Sequence, residues 1–73
     1  MARWHTRLRK AREAMKLSLA ESVNLLHESE NIKIHRTFLA QVERGESDIP
    51  TAKFRALCKI YCTSADWILG LKE

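Results

Sequence analysis

Apolar residues recur at intervals of three and four along almost the whole chain, and only two glycines and one proline interrupt its 73 residues. Strand-like alternation is scarce. A chain patterned in this way must bury one stripe on each of several helices, so the expected fold class is all-α. Trp4, Leu8, Ala11 and Met15 fall at i, i+4, i+7 and i+11 and predict a first helix over about residues 3–15. Ser18 and Glu21 form the S-x-x-E pattern of a capping box, in which side chain and backbone satisfy each other's amides at a helix start. The second helix that they open carries Leu19, Ala20, Val23 and Leu26 as its apolar stripe.

The segment from His27 to Ile34 is more polar and less periodic, and reads as the frayed end of the second helix plus a connection. A third helix is predicted over about residues 36–44, with Gly45 as its stop. Glu46-Ser47-Asp48-Ile49-Pro50 is a loop by composition, and Thr51 is the expected cap of a fourth helix with Phe54, Leu57, Cys58 and Tyr61 inward. Ser64 caps a short fifth helix containing Trp67, Ile68 and Leu69, which Gly70 ends.

A single domain over residues 1–73 is near the lower limit at which an apolar core alone sustains folding. So small a core can hardly wall an enzyme cleft. No carboxylate pair, nucleophile with its base, or phosphate-cradling glycine loop stands out, so the chain is not read as an enzyme. There is no apolar run of membrane-spanning length and no apolar signal stretch at the N-terminus, which together predict a cytoplasmic protein. Cys58 and Cys62 are too few to staple a secreted mini-domain, and His5, His27 and His35 show no ligand spacing with them. Reduced, buried or half-buried structural thiols are expected, with no metal and no cofactor.

The net charge of +4 is unevenly spread. Arg3, Arg7, Arg9, Lys10, Arg12 and Lys16 against Glu13 give residues 1–16 a local balance of +5, and the remainder, with seven basic and eight acidic residues, balances at −1. A basic end suits a polyanion through counterion release, and equally suits a solvated helix face. The third helix is more telling. Leu39 and Val42, with Phe38 beside them, can enter a core, while Arg36, Thr37, Ala40, Gln41 and Arg44 fall toward the opposite face. Arg and Gln carry paired groups that match guanine and adenine edges in the major groove, and Thr or Ala can meet the thymine methyl.

Five short helices with these motifs in this order resemble the lambda-repressor and Cro helix-turn-helix family. The likeness rests on Leu8-Arg9-Lys10-Ala11-Arg12-Glu13, Leu17-Ser18-Leu19-Ala20-Glu21, Val42-Glu43-Arg44-Gly45 and Ser64-Ala65-Asp66-Trp67-Ile68-Leu69-Gly70, and covers about residues 6–71. It implies a compact five-helix DNA-binding domain whose second and third helices form the helix-turn-helix. It also implies an ion pair between Arg12 and Glu43 that fixes the reader helix. His35, Arg36, Thr37, Ala40 and Gln41 occupy its base-reading positions, with Arg36 suited to guanine and Gln41 to adenine. His35 has two readings, a helix cap or a contact to base or phosphate.

Phosphate contacts are expected from Arg3, Arg7, Lys16, Ser18, Lys33 and Arg44. The sequence departs from the family's pattern in three places. Leu19 stands where many relatives have Gln, the loop after Gly45 is acidic, and Leu26 to His35 leaves room for an extra turn of helix or a longer loop. Trp4 reads as a core residue, and Trp67 as part of the core or of a dimer contact. The function implied is a phage or mobile-element transcriptional regulator, a repressor that binds a two-fold DNA operator as a homodimer, without a membrane or small-molecule substrate. The alternative is an antitoxin-like or anti-repressor module that uses the same fold to bind protein. A whole Cro-like regulator and the DNA-binding part of a longer repressor both fit this sequence.

Overall fold

A computed structural model describes residues 4–71. Among these residues the chain forms α1 (Trp4–Ala14), α2 (Leu19–Glu30), α3 (Arg36–Glu43), α4 (Thr51–Ile60) and α5 (Ala65–Leu69), and no strand. Each helix is stopped by a residue in the left-handed conformation: Lys16 (φ 58°), Asn31 (φ 55°), Gly45 (φ 80°), Cys62 (φ 54°) and Gly70 (φ 79°). The stops at Lys16, Gly45, Cys62 and Gly70 share one hydrogen-bond pattern. At α3, Gly45 N–H donates to the Val42 carbonyl at 3.0 Å and Glu46 N–H to the Gln41 carbonyl at 2.9 Å, the paired closure that satisfies the last carbonyls of a helix.

Helix starts are equally explicit. At α2, Glu21 N–H donates to Ser18 Oγ at 3.1 Å and Ser18 N–H returns a bond to Glu21 Oε1 at 2.8 Å. Ser64 Oγ accepts from the Asp66 and Trp67 amides at the start of α5. α4 differs from the sequence expectation: Pro50 occupies the cap position with no side-chain bond, and Thr51 is already the first helical residue. Proline's fixed φ of −58° sets the entry angle there.

α1 packs against α3 and α5, and α2 against α3 and α4. Leu8, Leu26, Leu39, Val42, Leu57 and Ile68, contributed by all five helices, are wholly shielded from water. Each contributes about 1.5–3 kcal/mol relative to an exposed side chain. Ala11, Phe54, Ala56, Cys58, Ile60 and Tyr61 complete the core. Ser22 is also wholly buried, and its hydroxyl accepts a bond from Tyr61 Oη at 3.1 Å, so neither polar group is left unpaired. The radius of gyration of 11.1 Å equals the value of about 11 Å for a close-packed domain of this length.

Three further expectations are corrected. Met15 leaves the apolar stripe of α1 and is exposed, because the helix ends at Ala14 and the chain reverses at Lys16. Cys62 is exposed rather than buried or half-buried, since it forms the turn after α4; Cys58 is buried, and burial pushes its thiol pKa up. The segment beyond His27 is not frayed: α2 continues for another turn to Glu30 and leaves a connection of residues 31–35. Ile32 and Ile34 pack half-buried against the core there, while Lys33 and His35 face solvent.

Candidate nucleic-acid interface

α3 carries its two chemistries on opposite sides. Leu39 and Val42 are wholly buried, and Glu43 nearly so. Arg36, Thr37 and Arg44 are exposed and Ala40 and Gln41 half-buried, and at 100° per residue these five span one continuous arc. Arg36, Ala40 and Arg44 recur at every fourth position and form one row along that arc. His35 caps the helix: its Nδ1 accepts from Thr37 N–H at 3.1 Å. The bond leaves the Nε2 edge of this exposed ring for other contacts.

The buried end of α3 is held by Arg12 of α1. Its guanidinium forms a fork on Glu43, Nε to Oε2 at 2.8 Å and Nη2 to Oε1 at 3.0 Å, and Nη1 donates to the Leu17 carbonyl at 2.7 Å. The side chains are 11% and 4% exposed. One cation therefore ties α1, the turn into α2 and the end of α3 together. The hydrogen bond to Glu43 outweighs burial and raises the Arg12 pKa further, so the group stays charged. Directly after this anchor Gly45 lies against His5, where a Cβ would come within 3.0 Å of the imidazole ring.

The residues expected to meet phosphate have different surroundings. Lys16, beside the start of α2, and Lys33, in the α2–α3 connection, are exposed; like Arg36, neither has an acidic partner within ion-pair distance among the described residues. Ser18 is committed to its capping box, and the hydrogen bond from its backbone holds the Glu21 carboxyl below the usual range. Arg7 is engaged elsewhere: it donates to the Trp67 carbonyl and stacks over the Trp67 ring at 5.0 Å, joining α1 to α5. Reaching a phosphate would break both contacts. Arg3 lies outside the described residues.

Linear spacing misses two features of this region. Arg44 is held by a fork on Glu46, Nε to Oε2 at 2.9 Å and Nη2 to Oε1 at 3.2 Å, across the glycine stop. Lys53 of α4 lies over the Phe38 ring at 5.9 Å and adds a cation beside α3. The first has a signal in the sequence, opposite charges flanking a glycine stop; the second has none, because it depends on where the start of α4, packed on α2, comes to lie beside Phe38. Of the tryptophans, Trp4 meets Phe54 edge to face at 6.0 Å, and both Trp4 and Trp67 are half-buried against the core. No helix among the described residues is long and apolar enough to cross a membrane. Compared with known proteins, the chain matches no family model, no curated protein and no solved structure.

Proposed function

We propose that the chain is a sequence-specific double-stranded DNA-binding transcriptional regulator, a lambda-repressor-like domain in which α2, residues 31–35 and α3 act as the helix-turn-helix. α3 enters the major groove, and Arg36 and Gln41 read base edges while Thr37 and Ala40 meet methyl groups. The observation that carries this reading is the division of α3 into an anchored buried side and a solvent-facing arc of Arg36, Thr37, Ala40 and Gln41, with Arg44 at its end held by Glu46. An α-helix with its side chains is about 10–12 Å across, which matches the width of the major groove. Base recognition needs side chains whose backbone does not move, and the Arg12–Glu43 fork supplies that rigidity.

Lys16 and Lys33 serve as the phosphate contacts, with Ser18 through its hydroxyl hydrogen. The protein represses by occupying a two-fold operator as a homodimer, needs no cofactor and performs no chemistry on the nucleic acid. The test is duplex binding measured against salt. On a mixed-sequence duplex pool, log K should fall linearly with log salt, and Lys16→Ala or Lys33→Ala should each flatten that slope by about one. Absence of any salt-dependent duplex binding would overturn the reading in favour of a protein-binding module on the same fold.

A further inference from the structure

The Arg44–Glu46 fork lies at the end of the row that Arg36, Ala40 and Arg44 make along α3. Both side chains are more than half exposed, at 57% and 56%. Their spacing is fixed by the backbone rather than by chance encounter: Gly45 is left-handed, the Gly45 and Glu46 amides close onto Val42 and Gln41, and the His5 ring packs on Gly45. Glu46 is therefore presented to Arg44 by the same turn that ends the helix. A carboxylate offers a guanidinium two oxygens in one plane, as a phosphate does, so the fork occupies the donors that Arg44 would otherwise present to DNA.

We infer that Glu46 is an intramolecular stand-in for phosphate that withholds Arg44 from non-specific DNA, so that the duplex must displace it before Arg44 can bind. This rests on the DNA-binding reading above. The chemistry favours an exchange over a permanent lock. Both partners are solvated, so the fork is screened and can open, whereas Arg12–Glu43, one helix face away, is buried and cannot. Arg44 then contributes less to weak encounters along the backbone and is recruited fully where α3 seats closely enough for a phosphate or base edge to replace the carboxylate. Glu46 thereby acts on specificity without touching DNA itself.

The test is a double-mutant cycle on a mixed-sequence duplex across a salt series, using the wild type, Glu46→Gln, Arg44→Gln and the double variant. Asp48→Asn serves as a control of equal charge change at an exposed position of the same loop. Helical content of each variant is checked by circular dichroism. Glu46→Gln should tighten binding about two- to fivefold at low salt and steepen the salt slope by about one, as one more phosphate contact is made. With Gln at position 44 that gain should shrink to the effect of Asp48→Asn. If Glu46→Gln gives no more than Asp48→Asn in the Arg44 protein, the inference fails while DNA binding stands. If the wild type binds no duplex, both fail together.

Discussion

Replacing Glu43 by Gln keeps the shape of the side chain and removes its charge, and it isolates what the Arg12 anchor does. In the native fold Arg12 makes two bonds to the carboxylate and one to the Leu17 carbonyl, with 11% of its side chain exposed. A glutamine amide offers one oxygen acceptor and turns an N–H donor toward the other guanidinium nitrogen. The cation is then buried without a counter-ion, a loss of about 3–5 kcal/mol. A domain of 73 residues is stable by about 4–11 kcal/mol at the usual stability per residue, so this single change removes a large share. At about 4–8 °C per kcal/mol the melting temperature should drop by at least about 12 °C.

Urea and thermal unfolding followed by circular dichroism measure the effect, with Arg9→Ala as the comparison. Arg9 pairs with Glu13 at 3.2 Å, but the two side chains are largely exposed, so that change should stay within about 1 kcal/mol. Combining Arg12→Met with Glu43→Leu should recover at least about 2 kcal/mol of the loss expected from adding the single changes, since neither charge is then left stranded. A cost below about 1 kcal/mol for Glu43→Gln, or single effects that simply add, would show that the pair is not the anchor.

Cys62→Gly should raise stability by about 0.5–1 kcal/mol, seen as a small rise in melting temperature, because glycine relieves the left-handed backbone of an exposed turn; no change or a fall would contradict that origin. Gly45→Ala should lower it by at least about 1 kcal/mol, combining a φ of 80° with the approach of the new methyl to His5, and Gly45→Ala with His5→Ala should recover the steric part alone. The Tyr61 pKa is pushed up to about 12 by burial, against the opposing bond to Ser22. A raised value means that its contribution is complete below the unfolded pKa of about 10 and is lost as pH rises toward 12, roughly 2–3 kcal/mol in total. Tyr61 is the one tyrosine of the chain, so tyrosinate absorbance reads it directly, and titration near 10 in the folded protein would refute the assignment.

Much of this fold is legible in the sequence, because its signals are local. The Ser18–Glu21 box, the Ser64 cap and the stops at Gly45 and Gly70 are all set within a few residues. The stripe of Phe54, Leu57, Cys58 and Tyr61 needs only periodicity. The end of α2 is harder to see. It is stopped at Asn31, and Lys16 and Cys62 likewise stop α1 and α4 without glycine, so a search for glycine finds only two of five stops. Burial of Ser22 and the diversion of Arg7 to Trp67 depend on partners 39 and 60 residues away. For α3 the pattern separates its two faces, and opposite charges at Arg44 and Glu46 flank its glycine stop, but the fork that joins them is set by the turn geometry after the helix.

Selection from a pool of random duplexes decides whether α3 reads bases. Wild-type protein should enrich a short motif with two-fold symmetry and half-sites one helical turn apart, about 34 Å. Arg36→Ala should relax one base-pair position in each half-site without altering the others. An unenriched pool, or a motif unchanged by Arg36→Ala, would contradict base reading by α3.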